Sequence, residues 1–338
     1  MEKPVFYVIK KLDLSEFMDL LLRHYSVFAP VESEGEHNFR RIRSWGDADL
    51  RRYVNTEFPP KKFFHPDGLT IMEFSGGKVR ESKGAEKIII FGVRPCDTHA
   101  LDVLDRVMTG GYLDHYYKNR RDSALIFALN CAQAGENCFC GSMGTSEATG
   151  FDLLFTDAGS EFHVETGSER GRKLAEKSGL FRRTEKAAAK AKLKFRKAIN
   201  TENLGEVMRS SFSGGFWEET AKRCVSCASC TNVCPTCYCF DVNHENSLGD
   251  KKVKITRTWS YCMLRPFTRI AGDKFTRDSR TERVKQFFYH KLLYGVENQE
   301  KLHCVGCGRC IRECMTHIDI TEEAAKARVE YERGKNEK

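Results

Sequence analysis

The sequence lacks the marks of a membrane or exported protein. No stretch approaches the roughly eighteen uninterrupted apolar residues that suggest a membrane-spanning helix. The N-terminus, MEKPVFYVIKKLDLSEF, has no cationic start followed by an apolar run and a small-residue cleavage site. We therefore expect a cytoplasmic protein in a reducing compartment, where disulfides are disfavoured.

The sequence also lacks the motifs of a nucleotide-binding or hydrolytic enzyme. No GxGxxG opens a helix after a strand, and there is no Walker loop. No Ser/His/Asp or Cys/His grouping stands out as a nucleophile with its base. Hydrophobic residues make up 41% of the 338 residues, which is typical of a globular chain with room for two or three domains. These absences favour a protein that carries a cofactor and has no substrate site of its own.

What the sequence has instead is cysteine, fifteen residues in all, and six of them lie in CVSCASCTNVCPTCYC. Two runs share the spacing Cys-x2-Cys-x2-Cys-x3-Cys. The first run is Cys224, Cys227, Cys230 and Cys234, and the second is Cys304, Cys307, Cys310 and Cys314. In ferredoxins with two [4Fe–4S] clusters, the fourth cysteine of such a run ligates the cluster of the other run. Zinc fits less well, because structural zinc prefers two separated pairs of cysteines.

Crossed ligation defines two metal sites. Site 1 is Cys224, Cys227, Cys230 and Cys314, and site 2 is Cys304, Cys307, Cys310 and Cys234. Between the runs lies an insert, residues 235–303, with a predicted helix RTERVKQFFYHKLLYG that ends at Gly295. The insert serves either as a lid over the clusters or as a surface for a partner.

Four more cysteines follow predicted buried strands. EKIIIFGVRPCD and SALIFALNC each contain an apolar run that ends shortly before a cysteine, Cys96 and Cys131. Asp97 is expected to cap the helix that follows the first strand. Because functional groups gather at the carboxyl ends of parallel strands, the two thiols should be neighbours, and the loop AQAGENCFCG adds Cys138 and Cys140. These four residues, site 3, predict a third [4Fe–4S] cluster; the alternative is that they only pack a core.

Six further motifs are informative together: FGVRPCDTHALDVLDRV, NCAQAGENCFCGSMGT, CPTCYC, TWSYC, CVGCGRC and PPKKFFHP. They resemble one known family, which comprises the beta subunits of sulfhydrogenases and the corresponding iron–sulfur subunits of anaerobic sulfite reductases. PPKKFFHP resembles the hydrogenase branch. The resemblance implies an iron–sulfur subunit that relays electrons between a catalytic subunit and a subunit that binds flavin and NAD(P). That catalytic subunit is a [NiFe] hydrogenase in one branch and a sirohaem sulfite reductase in the other. The resemblance also supports site 3.

Three cysteines remain without a role: Cys237, Cys239 and Cys262. The resemblance marks them as family features. We interpret them as packing and hydrogen-bonding groups beside the Cys234 turn, and the alternative is a further cluster with a non-cysteine ligand. No histidine is assigned as a ligand.

Charge is the last informative feature. The formal net charge is +8, and three clusters at roughly −2 each would leave the loaded protein nearly neutral. The surplus is local, with twelve Lys or Arg against two Glu between Arg170 and Lys197. This segment is either a solvated helix face or a docking site for an acidic partner subunit. Nucleic-acid binding is less favoured, because aromatic residues are few in the segment and no recognition motif is present.

The predicted fold class is α+β, in four parts. An α/β module with site 3 (1–165) is followed by a basic helical linker (166–216), a ferredoxin-like dicluster domain with the long helical insert (217–320) and a charged helix capped by Thr321 (321–338). The expected function is electron transfer inside a hetero-oligomeric anaerobic oxidoreductase, either a hydrogenase or a sulfite reductase. A free-standing iron–sulfur regulatory or nucleic-acid-binding protein is the alternative of another class.

Overall fold

The computed structural model describes residues 4–82, 84–187, 189–246 and 252–336. The strands are β1 (Phe6–Lys10), β2 (Ser26–Ser33), β3 (Glu36–Arg41), β4 (Leu69–Ser75), β5 (Lys78–Glu81), β6 (Ile88–Val93), β7 (Ala124–Leu129), β8 (Leu153–Asp157), β9 (Glu161–Thr166), β10 (Arg182–Thr184), β11 (Phe240–Asn246), β12 (Lys252–Trp259), β13 (Arg269–Ile270) and β14 (Lys274–Phe275).

The helices are α1 (Lys11–Leu22), α2 (Lys61–Phe64), α3 (Pro95–Thr109), α4 (His115–Ser123), α5 (Glu169–Ser178), α6 (Leu204–Ser210), α7 (Phe216–Arg223), α8 (Ser229–Asn232), α9 (Arg280–Tyr289), α10 (Gly295–Gln299), α11 (Arg309–Arg312) and α12 (Ile320–Asn336). The mixture of helices and strands confirms the predicted α+β class. None of the helices in the described ranges combines the length and the apolar character that crossing a membrane requires.

The N-terminal module is built on an eight-stranded sheet in the order β10-β1-β9-β8-β7-β6-β2-β3. The central strands β2, β6, β7 and β8 are parallel, and the flanking strands pair antiparallel. Every residue of β6 and β7 is buried, because helices cover both faces of the sheet. Helices α3 and α4 form the crossover from β6 to β7, so the carboxyl ends of these two strands lie at the same edge.

The dicluster domain has its own core. Trp217 of α7 packs against Phe288 and Tyr289 of α9, and its indole Nε1 donates a hydrogen bond to the Ser211 carbonyl at 2.8 Å. Helices α6 and α12 close the same core with side chains such as Met208. The short helices α8 and α11, one from each cysteine run, lie against each other. The core therefore surrounds the two predicted cluster loops.

A second sheet joins the two modules, and nothing in the sequence indicates it. Its order is β11-β12-β4-β5, so a hairpin from the insert pairs with a strand of the N-terminal module. The Trp259 amide also donates to the Asp67 carboxylate at 2.7 Å. The insert is thus not only helical, as predicted, because it also contains a β-hairpin that anchors the N-terminal module.

Three predicted helix ends are wrong. Helix α9 does not stop at Gly295: it continues through a π-helical turn (His290–Tyr294), and Gly295 opens α10. A Cβ at Gly295 would lie 2.5 Å from the His303 ring, so packing explains the glycine. The cap of α12 is Asp319, whose Oδ1 accepts from the Thr321 amide at 2.8 Å. Asp97 lies inside the first turn of α3 and caps nothing, because Arg94 occupies the N-cap position.

The predicted helical linker (166–216) contains helices only toward its two ends, α5 and α6. Residues 169–178 form α5, which ends at Gly179 in the left-handed conformation (φ 70°). Strand β10 then pairs with β1, so the first sheet extends beyond residue 165. From there to Asn203, the described residues contain neither helix nor strand. The basic segment is therefore helical only in α5, and we call its continuation, residues 185–203, the basic strap.

Candidate metal centres

The two Cys-x2-Cys-x2-Cys loops have the same backbone conformation. The second residue after the first cysteine is left-handed in both loops, at Ser226 (φ 57°) and Gly306 (φ 65°). The fourth is left-handed as well, at Ala228 (φ 65°) and Gly308 (φ 76°). Because non-glycine residues rarely adopt this conformation, its presence at Ser226 and Ala228 indicates that the loop shape is imposed by what the loop must hold.

The thiols of site 1 line one cavity. Cys224, Cys227 and Cys230 from the first run face Cys314 from the second across this cavity, whose walls include Met263, Val284 and Phe288. The mouth is apolar and exposed, with Val225 54% and Met315 67% accessible to solvent. The lining contains the four cysteines of site 1 together with Cys310 of the second run, so it includes the set that crossed ligation requires.

The thiols of site 2 line a second cavity with the reciprocal grouping. Cys304, Cys307 and Cys310 face Cys234, and Cys310 also borders the first cavity. The two cavities are therefore adjacent. Cys234 Sγ lies 3.3 Å from Thr236 Oγ1, and Cys314 Sγ lies 3.5 Å from Thr316 Oγ1, so the fourth cysteines of both sites have matching surroundings.

The four cysteines of site 3 lie at the carboxyl edge of the large sheet. Cys96 is in the first turn of α3 and Cys131 comes two residues after β7. Burial raises the pKa of Cys140 to about 12, and the nearby thiols of Cys138 and Cys131 contribute to the rise. Burial also raises the pKa of Cys96, to which Cys140 contributes. Cys96 and Cys140 also belong to one group of contacting buried side chains, which includes Cys307 of site 2.

The loop of site 3 packs directly on the loop of site 2. The Phe139 amide donates to the Gly306 carbonyl at 2.8 Å, and the Thr145 hydroxyl donates to the Val305 carbonyl at 2.7 Å. A Cβ at Gly306 would lie 2.6 Å from the Cys140 amide nitrogen, so only glycine permits this approach. Sites 3, 2 and 1 follow one another in space without an intervening layer of protein.

An ion pair without access to solvent fastens sites 2 and 3 together. Arg309 lies between two cysteines of site 2, and Asp97 directly follows Cys96 of site 3. Both terminal nitrogens of Arg309 donate hydrogen bonds to the Asp97 carboxylate, at 2.6 and 2.8 Å. Both side chains are 0% exposed. Arg309 Nε donates to the Thr56 carbonyl at 2.7 Å. Such a bidentate pair fixes orientation as well as distance. Nothing in the sequence connects the two positions, so the pair could not be predicted.

The basic strap covers site 3. Phe195 packs on Gly141, where a Cβ would meet its ring at 2.5 Å, and contacts the group of buried side chains that contains Cys96 and Cys140. Lys197 pairs with the Asp319 carboxylate at 2.6 Å. The strap is therefore tied to both modules, while its other lysines, such as Lys192 and Lys194, stay exposed.

The remaining thiols lie beside Cys234. A hydrogen bond from the Cys237 thiol, together with the Lys291 ammonium, holds the pKa of the Cys234 thiol well below its usual range. Burial raises the pKa of Cys262 to about 12, and Cys239 is the thiol that contributes most to it. These contacts match the interpretation of Cys237 as a hydrogen-bonding partner of Cys234 and give no role to Cys239 and Cys262.

Two buried lysines, Lys61 and Lys291, belong to the surroundings of site 2 and were not predicted there. Lys61 lies in the quoted PPKKFF stretch, and Lys291 lies four residues after Phe287, on the apolar face of the predicted helix. A lysine at an apolar helical position was the available signal. Two histidines near the sites, His65 and His303, are buried with neither ring nitrogen hydrogen-bonded in the described structure.

The donor sets fit iron–sulfur clusters. Thiolate is the ligand of [4Fe–4S] clusters, and the four cysteines of site 1 and of site 2 line one cavity each. Burial and neighbouring thiols raise the pKa of Cys138 to about 11 and of Cys304 to about 12, so these groups lose their protons only when a cationic core compensates the charge. Among the described residues, no three His, Cys, Asp or Glu side chains are arranged to hold a single metal ion.

Comparison with known proteins supports [4Fe–4S] clusters in the C-terminal part of the chain. Residues 223–318 match the family model described as a 4Fe-4S dicluster domain. The subunit beta of sulfhydrogenase 2 from Pyrococcus furiosus is 30% identical over 324 residues, which cover 91% of this chain and 95% of that protein. No solved structure matches significantly.

Proposed function

The chain belongs to the sulfhydrogenase beta-subunit family, and on that basis we propose that it relays electrons through three [4Fe–4S] clusters inside a hydrogenase complex. One end of the relay contacts a partner that binds flavin and NAD(P), and the other end contacts a [NiFe] catalytic partner. The observation that carries the proposal is the contiguity of the three thiol sites, with Cys310 bordering both cavities and Gly306 touching the site 3 loop.

The residues of the chain have three tasks in this relay. Bound clusters would supply the one-electron chemistry. The crossed cysteines hold sites 1 and 2 at a fixed separation, because each run contributes ligands to both sites. The buried Arg309–Asp97 pair and the Gly306 contact hold site 3 against site 2. Since these contacts are buried and rigid, electrons would travel a constant route.

Site 1 is the end at which we place one partner. Cys227 is exposed, and the apolar side chains of Val225 and Met315 flank the cavity mouth. An exposed apolar rim around a redox centre is suited to close contact with another protein, which excludes water between donor and acceptor. A sulfite reductase remains the other candidate for the catalytic partner, and the similarity to a sulfhydrogenase beta chain favours the hydrogenase.

The iron content tests the number of clusters. Anaerobically prepared protein should contain about twelve iron atoms per chain, four at each site, and matching sulfide. Cys138→Ser should remove one cluster's spectrum and leave two. Cys239→Ser, a change at a thiol outside the three sites, is the matched control and should leave the iron content unchanged. Eight irons in the fully loaded protein, with unaltered spectra for Cys138→Ser, would refute site 3.

Two further variants test the crossed ligation. Cys234→Ser should damage the cluster held by the C-terminal run, and Cys314→Ser should damage the one held by Cys224, Cys227 and Cys230. In electron paramagnetic resonance (EPR) spectra, each variant should therefore lose the signal of the other run's cluster. If each variant perturbs only the cluster of its own run, the crossed assignment is wrong.

Anaerobic co-purification tests the partners. The chain should be recovered with two partners, one containing flavin and one containing nickel, which metal and flavin analysis of the complex would detect. Recovery with a sirohaem protein would assign it to a sulfite reductase instead, and a stable monomer without redox partners would refute the role in a complex.

A further inference from the structure

Two buried ammonium groups lie next to site 2 without a carboxylate. Lys61 and Lys291 are each 2% exposed. Lys61 Nζ donates to the Cys237 carbonyl at 3.2 Å, and Lys291 Nζ donates to the Thr236 hydroxyl at 2.9 Å. Neither forms an ion pair with Asp or Glu in the described parts of the chain. A buried charge with no counter-charge destabilises a fold, and burial lowers the pKa of Lys61, so a nearby anion is what would keep both groups charged.

The nearest anion is the ligand set of site 2. Lys291 lines the same cavity as Cys234 and Cys304, and its partner Thr236 lies 3.3 Å from Cys234 Sγ. Lys61 also acts electrostatically on Cys234. Its ammonium lies 4.3 Å from the centre of the Trp259 ring, a contact that favours the charged form. Four thiolates around an iron–sulfur core leave a net charge of roughly −2, which the two ammonium groups would balance.

The backbone is shaped to bring Lys291 to this position. Lys291 lies in the π-helical turn His290–Tyr294, which interrupts the helix between α9 and α10. The Lys291 carbonyl accepts from the His303 amide at 3.2 Å, which ties the turn to the residue before Cys304. Turns of this kind occur mostly as single insertions in α-helices, frequently at functional sites.

We propose that Lys61 and Lys291 set the reduction potential of the cluster at site 2 and hold it above the potential of the cluster at site 1. Reduction adds one negative charge to a cluster, and two buried positive charges stabilise the more negative state. The low dielectric of the interior strengthens this effect, and net charge is one of the factors that determine iron–sulfur potentials. An electron in the relay would then reside preferentially on the cluster at site 2.

Site 1 lacks this feature. No basic side chain lines its cavity in the part of the chain that the structure describes. The sulfur of Cys314 accepts from the Ile318 amide at 3.3 Å and lies near Thr316, whereas the sulfur of Cys234 has Thr236 and the Cys237 thiol as neighbours. Site 1 is also open to solvent at Cys227, so buried positive charge is one of several differences between the sites, and it is the one that removing a single ammonium group tests.

The proposal rests on the proposed function, because it requires a cluster at site 2. Lys291→Met and Lys61→Met keep most of the length of the side chain and remove the charge. Redox titration of the whole protein, followed by EPR, should show a lower midpoint potential for the site 2 cluster in each variant, with the site 1 cluster unmoved. Lys291→Arg keeps the charge and should restore most of the potential. Lys222→Met, at a side chain 69% exposed, is the control and should change neither potential.

The outcomes separate this proposal from the proposed function. If wild-type iron content and the Cys234→Ser spectra reveal no cluster at site 2, the proposed function fails at that site. If the cluster is present and neither Lys291→Met nor Lys61→Met moves its potential, the lysines do not set it and this inference is overturned. It is also overturned if Lys291→Arg lowers the potential as far as Lys291→Met. Should Lys291→Met fail to fold, Lys61→Met decides alone.

Discussion

Replacing Gly306 by alanine should disconnect site 3 from site 2. The new Cβ would lie 2.6 Å from the Cys140 amide nitrogen and 2.7 Å from the Cys140 Cα and the Phe139 carbonyl carbon. These are backbone atoms, so the whole Phe139–Cys140 loop must move. Overpacking of this kind costs about 1–3 kcal/mol, and the left-handed conformation adds about 1 kcal/mol for alanine.

These costs exceed the interaction that holds the loop. The hydrogen bond from the Phe139 amide to the Gly306 carbonyl is worth about 1 kcal/mol, so we expect it to break and Cys138 and Cys140 to shift away from Cys96. Site 3 should then lose its cluster, and the iron content should fall from about twelve to about eight per chain. Anaerobic iron and sulfide analysis with EPR measures both effects.

The protein provides its own control at Ser226. This residue occupies the matching position of the first loop, has φ 57°, and already carries a side chain. Ser226→Ala should therefore leave all three sites loaded. If the Gly306→Ala protein has its full iron content and unaltered spectra, the close contact between the loops of sites 2 and 3 is not required for site 3, and the reasoning is refuted.

Two other changes test the joints between modules and partners. Arg309→Met should leave Asp97 buried without its partner and destabilise the protein by about 3–5 kcal/mol. The control Arg312→Met, at a partly exposed side chain, should cost far less stability. Denaturation followed by circular dichroism compares the two variants, and equal stabilities would contradict the reasoning. Changing Lys186, Lys192 and Lys194 to Glu should slow association with the partner proteins. Raising the salt concentration should have the same effect on the wild type, because exposed charges are screened beyond about 8 Å already at physiological salt. Unchanged association rates would show that the strap is only a solvated surface. Lys197 is left out of this variant, since its pair with Asp319 belongs to the fold.

Local patterns account for the part of the candidate sites that could be predicted. The cysteine spacing predicts which thiols share a site, because three of the four cysteines in each site come from one short loop; each cavity contains its predicted set, and Cys310 lines both. The apolar runs predict β6 and β7, and the parallel-strand rule places Cys96 and Cys131 at one edge. In each of these cases the information lies within a short stretch of chain.

Long-range packing explains what could not be predicted. The segment EKAAAKAKLKFRK favours a helix on propensity, yet its described residues contain no helix, and Phe195 packs against Gly141 and the buried group that contains Cys96 and Cys140. The pairing of β12 with β4 joins residues that are far apart in the chain, such as Ile255 and Met72. The hydrogen-bond partners of Arg309 and Lys61 likewise come from distant parts of the chain, so they cannot be predicted from a single sequence.

The Arg309–Asp97 pair has a consequence for how the protein acquires and keeps its iron. Each member stands next to a cysteine of a different site, so neither half of the chain can be completed without the other. A ferredoxin-like half cut from this protein would expose an arginine built for the interior, and the remaining half would retain an unbalanced aspartate. If both sites bind clusters, metal insertion at one site should favour insertion at its neighbour. Oxygen damage that strips one cluster should in turn loosen the next, and the chain should mature and decay as a single unit.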